Sequence, residues 1–184
     1  MELSKYIAVF ENAIDKSACD DIIKLFDTYK DKQNRVENNQ SPNFTQFNIT
    51  QNKDLHPELH QYLVKSAQAA ISTYKDMVSD SKFWPFEYGF EQFRIKMYNK
   101  GKDQFREHVD SITLESNKRF LAFFWYLNDV SEGGETEFTN LGIKVKPSKG
   151  KLVMFPPYWL YPHIGHIPLS NDKYLLSSYL HIVK

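Results

Sequence analysis

The chain has 184 residues, with 23 basic and 23 acidic side chains, no formal net charge, 41% apolar residues and 15% aromatic residues. This composition excludes a disordered chain, and its neutrality argues against a protein that works by gripping nucleic-acid phosphates or an anionic membrane. A single cysteine, Cys19, excludes an intramolecular disulfide. The longest apolar run, Phe120–Leu127, is far short of the ~18 residues that suggest a membrane span, and Met1–Phe10 holds too short an apolar run for a signal peptide. The expectation is one soluble, cytoplasmic domain.

In chain order, Ser17 opens a capping pattern with Asp20, and Ile22, Ile23, Leu25 and Phe26 form one helical stripe behind it. Residues 32–52 are polar, rich in Asn and Gln, and read as a loop. A second helix starts at Pro57, a good first-turn residue, and runs through Leu63, Ala67, Ala70 and Tyr74 to about Val78. Residues 1–86 are therefore expected to be a helical support.

From Glu87 the pattern changes to strands. Alternation marks Tyr88–Tyr98 and Phe105–Asp110, while Arg119–Leu127 is apolar on both faces, as a central strand is. Short strands follow near Ile143–Lys146 and Leu152–Phe155, and Tyr174–Val183 closes the chain. Gly133-Gly134 and Lys149-Gly150 punctuate them. A run of short strands without intervening helices predicts a mainly β fold, a sandwich or jelly roll over residues 87–184, with the helices packed outside one sheet.

Six histidines are available for chemistry: His56, His60, His108, His163, His166 and His181. His108 and Asp110 stand two apart in a predicted strand, so both side chains face one way. A third histidine from a later strand would complete a two-histidine, one-carboxylate facial set, which suits non-haem Fe(II) and leaves coordination positions open. A surface ion pair is the competing reading of His-x-Asp. Lys173, at the start of the last strand, can bind a carboxylate as a point charge, and the Tyr98 hydroxyl can join it. An exposed strand-end lysine is the competing reading there.

Several segments together resemble the catalytic domain of the prolyl 4-hydroxylases, within the 2-oxoglutarate/Fe(II) dioxygenases. They are Tyr98 before His108-Val109-Asp110; the run from Arg119 to Leu127; Gly133-Gly134-Glu135-Thr136; and His163-Ile164-Gly165 ten residues before Lys173, with Tyr179 and His181 behind. The resemblance implies a double-stranded β-helix, with Fe(II) held by His108, Asp110 and His163. It further implies 2-oxoglutarate held by Lys173 with Tyr98 and Thr136, O2 as second co-substrate, and ascorbate as a candidate reductant. Arg119, Tyr179 and His181 fall where the family lines its peptide groove.

Two departures stand out. Pro168 comes one residue late after the distal histidine, and Asn171 replaces a glycine, which makes His166 a competitor for the third ligand position. The implied reaction is hydroxylation of a peptidyl proline with decarboxylation of 2-oxoglutarate to succinate. A free amino acid, a small molecule or an alkylated base is the alternative substrate, and a non-catalytic jelly-roll binding module is the alternative of another class. The sequence leaves the oligomeric state open.

Overall fold

A computed structural model describes residues 2–38 and 41–183. Two α-helices lie in the first half, α1 (Lys16–Thr28) and α2 (Pro57–Met77). The first half also gives strands β1 (Ala8–Phe10), β2 (Asn34–Val36) and β3 (Phe44–Asn48). The second half adds β4 (Tyr88–Phe90), β5 (Arg94–Tyr98), β6 (Phe105–His108), β7 (Arg119–Tyr126) and β8 (Thr136–Phe138). It ends with β9 (Ile143–Val145), β10 (Leu152–Phe155), β11 (His163–Gly165) and β12 (Lys173–Ile182).

The strands form two antiparallel sheets. The larger runs β1-β10-β7-β12-β5-β3-β2, with β4 also pairing to β12, and the smaller runs β6-β11-β8-β9. Mostly β content in two antiparallel sheets is the jelly-roll architecture expected from the sequence. Two local expectations change. Helix α1 begins at Lys16, with Asp15 rather than a serine at its N-cap and no side-chain capping bond. Residues 32–52 are no simple loop, because they supply β2 and β3. The Asn and Gln residues conceal that Phe44 and Phe47 are buried and that β3 pairs with β5. The helical support of residues 1–86 thus also adds three strands to the larger sheet.

Alternation along the central strands creates two cores. Leu121, Phe123 and Trp125 of β7, with Leu176 and Leu180 of β12, pack with Ile22, Leu25 and Phe26 of α1 and Leu63, Ala67, Ile71 and Tyr74 of α2. Each of these large side chains contributes about 1.5–3 kcal/mol by leaving water. The intervening residues Ala122, Phe124 and Tyr126 pack with Phe138 and Val145 of the smaller sheet. That second space, between the sheets, also holds the polar groups described next.

Candidate active site

β6 and β11 are neighbours in the smaller sheet, and His108 and His163 are directly paired in register. Their rings lie 4.2 Å apart, centroid to centroid. Strand β6 ends at His108, and Asp110 sits in the bend that follows. His108 Nε2 and His163 Nε2 each stand 3.7 Å from an oxygen of Asp110. Donor atoms of these three residues all lie within 4.8 Å of one another.

The remaining atoms of the three side chains are fixed from behind. His108 Nδ1–H donates to the Arg106 carbonyl at 2.7 Å, and His163 Nδ1–H donates to the Tyr161 carbonyl at 3.1 Å. A carbonyl only accepts, so each ring keeps its Nε2 lone pair free for the shared centre. Tyr179 donates its hydroxyl to Asp110 Oδ1 at 2.9 Å, and Arg119 Nη1 donates to the Asp110 carbonyl at 3.0 Å. Arg119 is held in turn by a two-pronged ion pair with Glu91, at 2.7 and 2.9 Å, and lies over the Tyr179 ring.

Burial pushes the Asp110 carboxyl up, but the charges of His163, His108 and Lys96 and the Tyr179 bond outweigh it and hold the group below its ordinary value. Burial, followed by the charge of His163, pulls His108 down to about 4. Two imidazoles that turn their Nε2 atoms to one centre and one carboxylate form a donor set that fits a first-row dication with coordination positions to spare.

Lys173 stands at another side of the same pocket and is fully buried. Its ammonium donates to the Gly134 carbonyl at 2.9 Å and lies 4.7 Å from the centre of the Tyr98 ring. Burial holds it down at about 7. No carboxylate lies within ion-pair distance of it among the described residues. A wholly buried ammonium served only by carbonyls is costly and fits the carboxylate of an incoming anion. Two glycines pack against Lys173. Added Cβ atoms would meet Lys173 Cδ at 3.4 Å from Gly134 and Lys173 Nζ at 3.8 Å from Gly165.

A family model described as the 2OG-Fe(II) oxygenase superfamily matches residues 93–181. Probable prolyl 4-hydroxylase 3 of Arabidopsis thaliana is 23% identical over 95% of this chain and 68% of its own length. Probable prolyl 4-hydroxylase 9 of the same plant is 34% identical over 40% of this chain and 31% of its own length. Over its second half the chain is thus similar to the 2-oxoglutarate/Fe(II) oxygenases, and the relatives it resembles are prolyl 4-hydroxylases.

Solved structures share the fold. The 2OG complex of a viral collagen prolyl hydroxylase from Paramecium Bursaria Chlorella virus-1 superposes with a TM-score of 0.73 at 22% identity, over 97% of each chain. A Trichoplax adhaerens prolyl hydroxylase, solved with a hypoxia inducible factor peptide fragment, gives 0.77 at 16% identity, over 97% of this chain and 84% of that chain.

The residues singled out in the sequence divide between the pocket and its surroundings. His108, Asp110, His163, Lys173, Tyr98, Thr136 and Tyr179 all line one pocket. Arg119 does not line it and instead braces Asp110 from outside. His181 also lies off the pocket, with Nδ1 buried and unbonded. His166 bonds Glu137 at 2.7 Å and stands outside the donor group. Of the aromatics near it, Tyr161 is buried while Trp159 is open to solvent.

Three contributors escape a reading by motif. Tyr126 places its hydroxyl 2.7 Å from Thr136 Oγ1, fixing that pocket residue. Glu91 anchors Arg119. Lys96 enters the pocket from β5, two residues before Tyr98 and so on the same strand face. That spacing was the available signal for Lys96.

Proposed function

We propose that His108, Asp110 and His163 hold Fe(II), that Lys173 holds the distal carboxylate of 2-oxoglutarate beside Tyr98 and Thr136, and that the substrate is a peptidyl proline. The observation carrying this reading is the pocket's pairing of a three-donor metal set with a buried ammonium that has no counter-ion. The similarity to prolyl 4-hydroxylases supports proline as the target. A non-catalytic module has no use for that pairing.

When bound, iron with 2-oxoglutarate supplies the oxidising power, so that O2, 2-oxoglutarate and a substrate C–H become succinate, CO2 and a C–OH. The chain does the rest. Nδ1–H bonds from His108 and His163 aim both Nε2 atoms at one point. Tyr179 and Arg119 keep Asp110 in place. Lys173 orients the co-substrate by its charge, and Phe105, Phe124 and Phe155 line the pocket and limit water within it. We take residues 1–184 as one dioxygenase domain acting in the cytoplasm. The single cysteine and the absence, among the described residues, of a helix long and apolar enough to cross a membrane support this.

The test is succinate formation from 2-oxoglutarate with Fe(II), with and without proline-rich peptides, and mass spectrometry for a hydroxylated proline. Peptide-stimulated turnover with a hydroxylated product is expected. Binding of metal and 2-oxoglutarate without any peptide stimulation would remove proline as the substrate. Loss of the metal from His166→Ala but not from His163→Ala would overturn the ligand assignment.

A further inference from the structure

Lys96 is a second lysine in the pocket, and nothing in the reaction above uses it. It pairs in register with Leu175, one alternation along from the Lys173–Tyr98 pair, and it lines the cavity with the metal-set residues. Its ammonium lies 5.1 Å from the Phe44 ring centre, and no hydrogen bond or ion pair ties it down among the described residues.

The charged groups around it are Asp110, Glu91, Arg94 and Arg119. Glu91 is engaged by Arg119 in the two-pronged pair. Asp110 belongs to the donor set and already takes the Tyr179 hydroxyl. Arg94, two residues earlier on the same strand face, bonds only the neutral Gln92 side chain among the described residues. Lys96 and Arg94 therefore form a cationic stripe along β5 with no anion of its own.

Formal charge in the loaded pocket sharpens the point. A metal dication and the Lys173 ammonium are balanced by Asp110 and the dianionic co-substrate. Lys96 is then one positive charge in excess, in a partly buried site where an unpaired charge is costly. The matching anion has to arrive with the remaining reactant.

We propose that Lys96 is a specificity-determining residue that binds a carboxylate on the primary substrate within the same pocket as the metal-set residues. This rests on the dioxygenase reading of the pocket and narrows its substrate class. The carboxylate has two possible sources: an acidic side chain flanking a peptidyl proline, or the α-carboxylate of a terminal or free proline.

Labelled peptides can be titrated by fluorescence anisotropy into protein loaded with Zn(II) and 2-oxoglutarate, with kcat/KM measured on the Fe(II) enzyme. One pair of peptides carries Asp or Asn beside an internal proline, and a second pair ends in proline as free acid or amide. The wild-type protein should favour the carboxylate member of one pair by about tenfold, the scale of one charge-assisted hydrogen bond. Lys96→Met should abolish that preference, Lys96→Arg should keep it, and Lys96→Glu should invert it toward a Lys-bearing peptide. The pair that responds identifies the source.

Equal treatment of both members of each pair by the wild-type protein would overturn the proposal. So would a preference that survives in Lys96→Met. A tenfold loss of 2-oxoglutarate affinity in Lys96→Met, with the peptide preference intact, would assign Lys96 to the co-substrate instead. A protein that ignores every proline peptide yet hydroxylates a carboxylate-bearing small molecule in a Lys96-dependent way would retire the proline reading and keep this one.

Discussion

The two faces of the larger sheet are built from the same strands and do opposite work. On β12, Leu176 and Leu180 turn to the helices, while Lys173, Ser177 and Tyr179 turn to the pocket. On β7, Leu121 and Trp125 face the helices, and Ala122 and Phe124 line the pocket. The helix face is apolar and closed. The pocket face keeps a buried ammonium without a counter-ion and three ligand-type side chains within 4.8 Å. The first face should carry the stability, and the second should cost some of it in exchange for binding.

The strongest way to break this contrast is Trp125→Ala. Trp125 is fully buried, and truncation should cost about 3–5 kcal/mol in urea unfolding, while the fraction still folded keeps its metal affinity. Asp110→Ala should do the reverse. Calorimetric titration with Mn(II) should show affinity lower by more than the ~10–100-fold that loss of an outer partner causes, with little change in unfolding. Lys173→Met should weaken 2-oxoglutarate binding by about 10–100-fold, since a bond to a charged group is lost, yet leave the ligand-free protein at least as stable. If that variant unfolds more easily, Lys173 has a structural role and the contrast fails.

The pH dependence sharpens the same point. Burial holds Lys173 at about 7 against an ordinary 10.5. Below pH 7 both folded and unfolded chains carry the proton, and the fold bears the full cost of the buried charge. Between about pH 7 and 10.5 the unfolded chain binds more protons, so stability rises with pH in that window. Lys96, held down at about 8, acts in the same direction. The wild-type minus Lys173→Met difference in urea midpoints isolates the Lys173 part, and saturating 2-oxoglutarate should shrink it. Smallest of all, Tyr179→Phe should lower metal affinity by about tenfold, as removal of an outer hydrogen bond to a ligand does, with no change in the pH window.

Much of this was readable in the sequence because it rests on strong periodic signals. The both-faces-apolar run at Phe120–Leu127 became the central strand β7, and Pro57 opened α2 as its first-turn role requires. The weak signals were the short strands. β8 and β11 have three residues each, too few for alternation to register, although they carry Thr136 and His163. β3 was hidden because only Phe44 and Phe47 reveal its buried positions among Asn, Gln and Thr. In the site, residues tied to a motif were visible from spacing alone. Glu91 was not, because its importance comes from Arg119, and Lys96 belonged to no motif, although its spacing from Tyr98 put it on the pocket's strand face.

One feature of the smaller sheet bears on how the site opens. β6 is the outermost strand on one edge, only four residues long, and its register with β11 slips between the His163 and Gly165 pairs. The donor atoms straddle that seam, with His108 and Asp110 on the outer side and His163 on the inner. A cation held there would work as a clasp. Peeling the outermost strand away would mean giving up the ion, so metal affinity and the local opening free energy of this edge are two measures of one equilibrium. Amide exchange along 105–110 would then act as an occupancy gauge, slowing about tenfold for each ~1.4 kcal/mol the ion contributes.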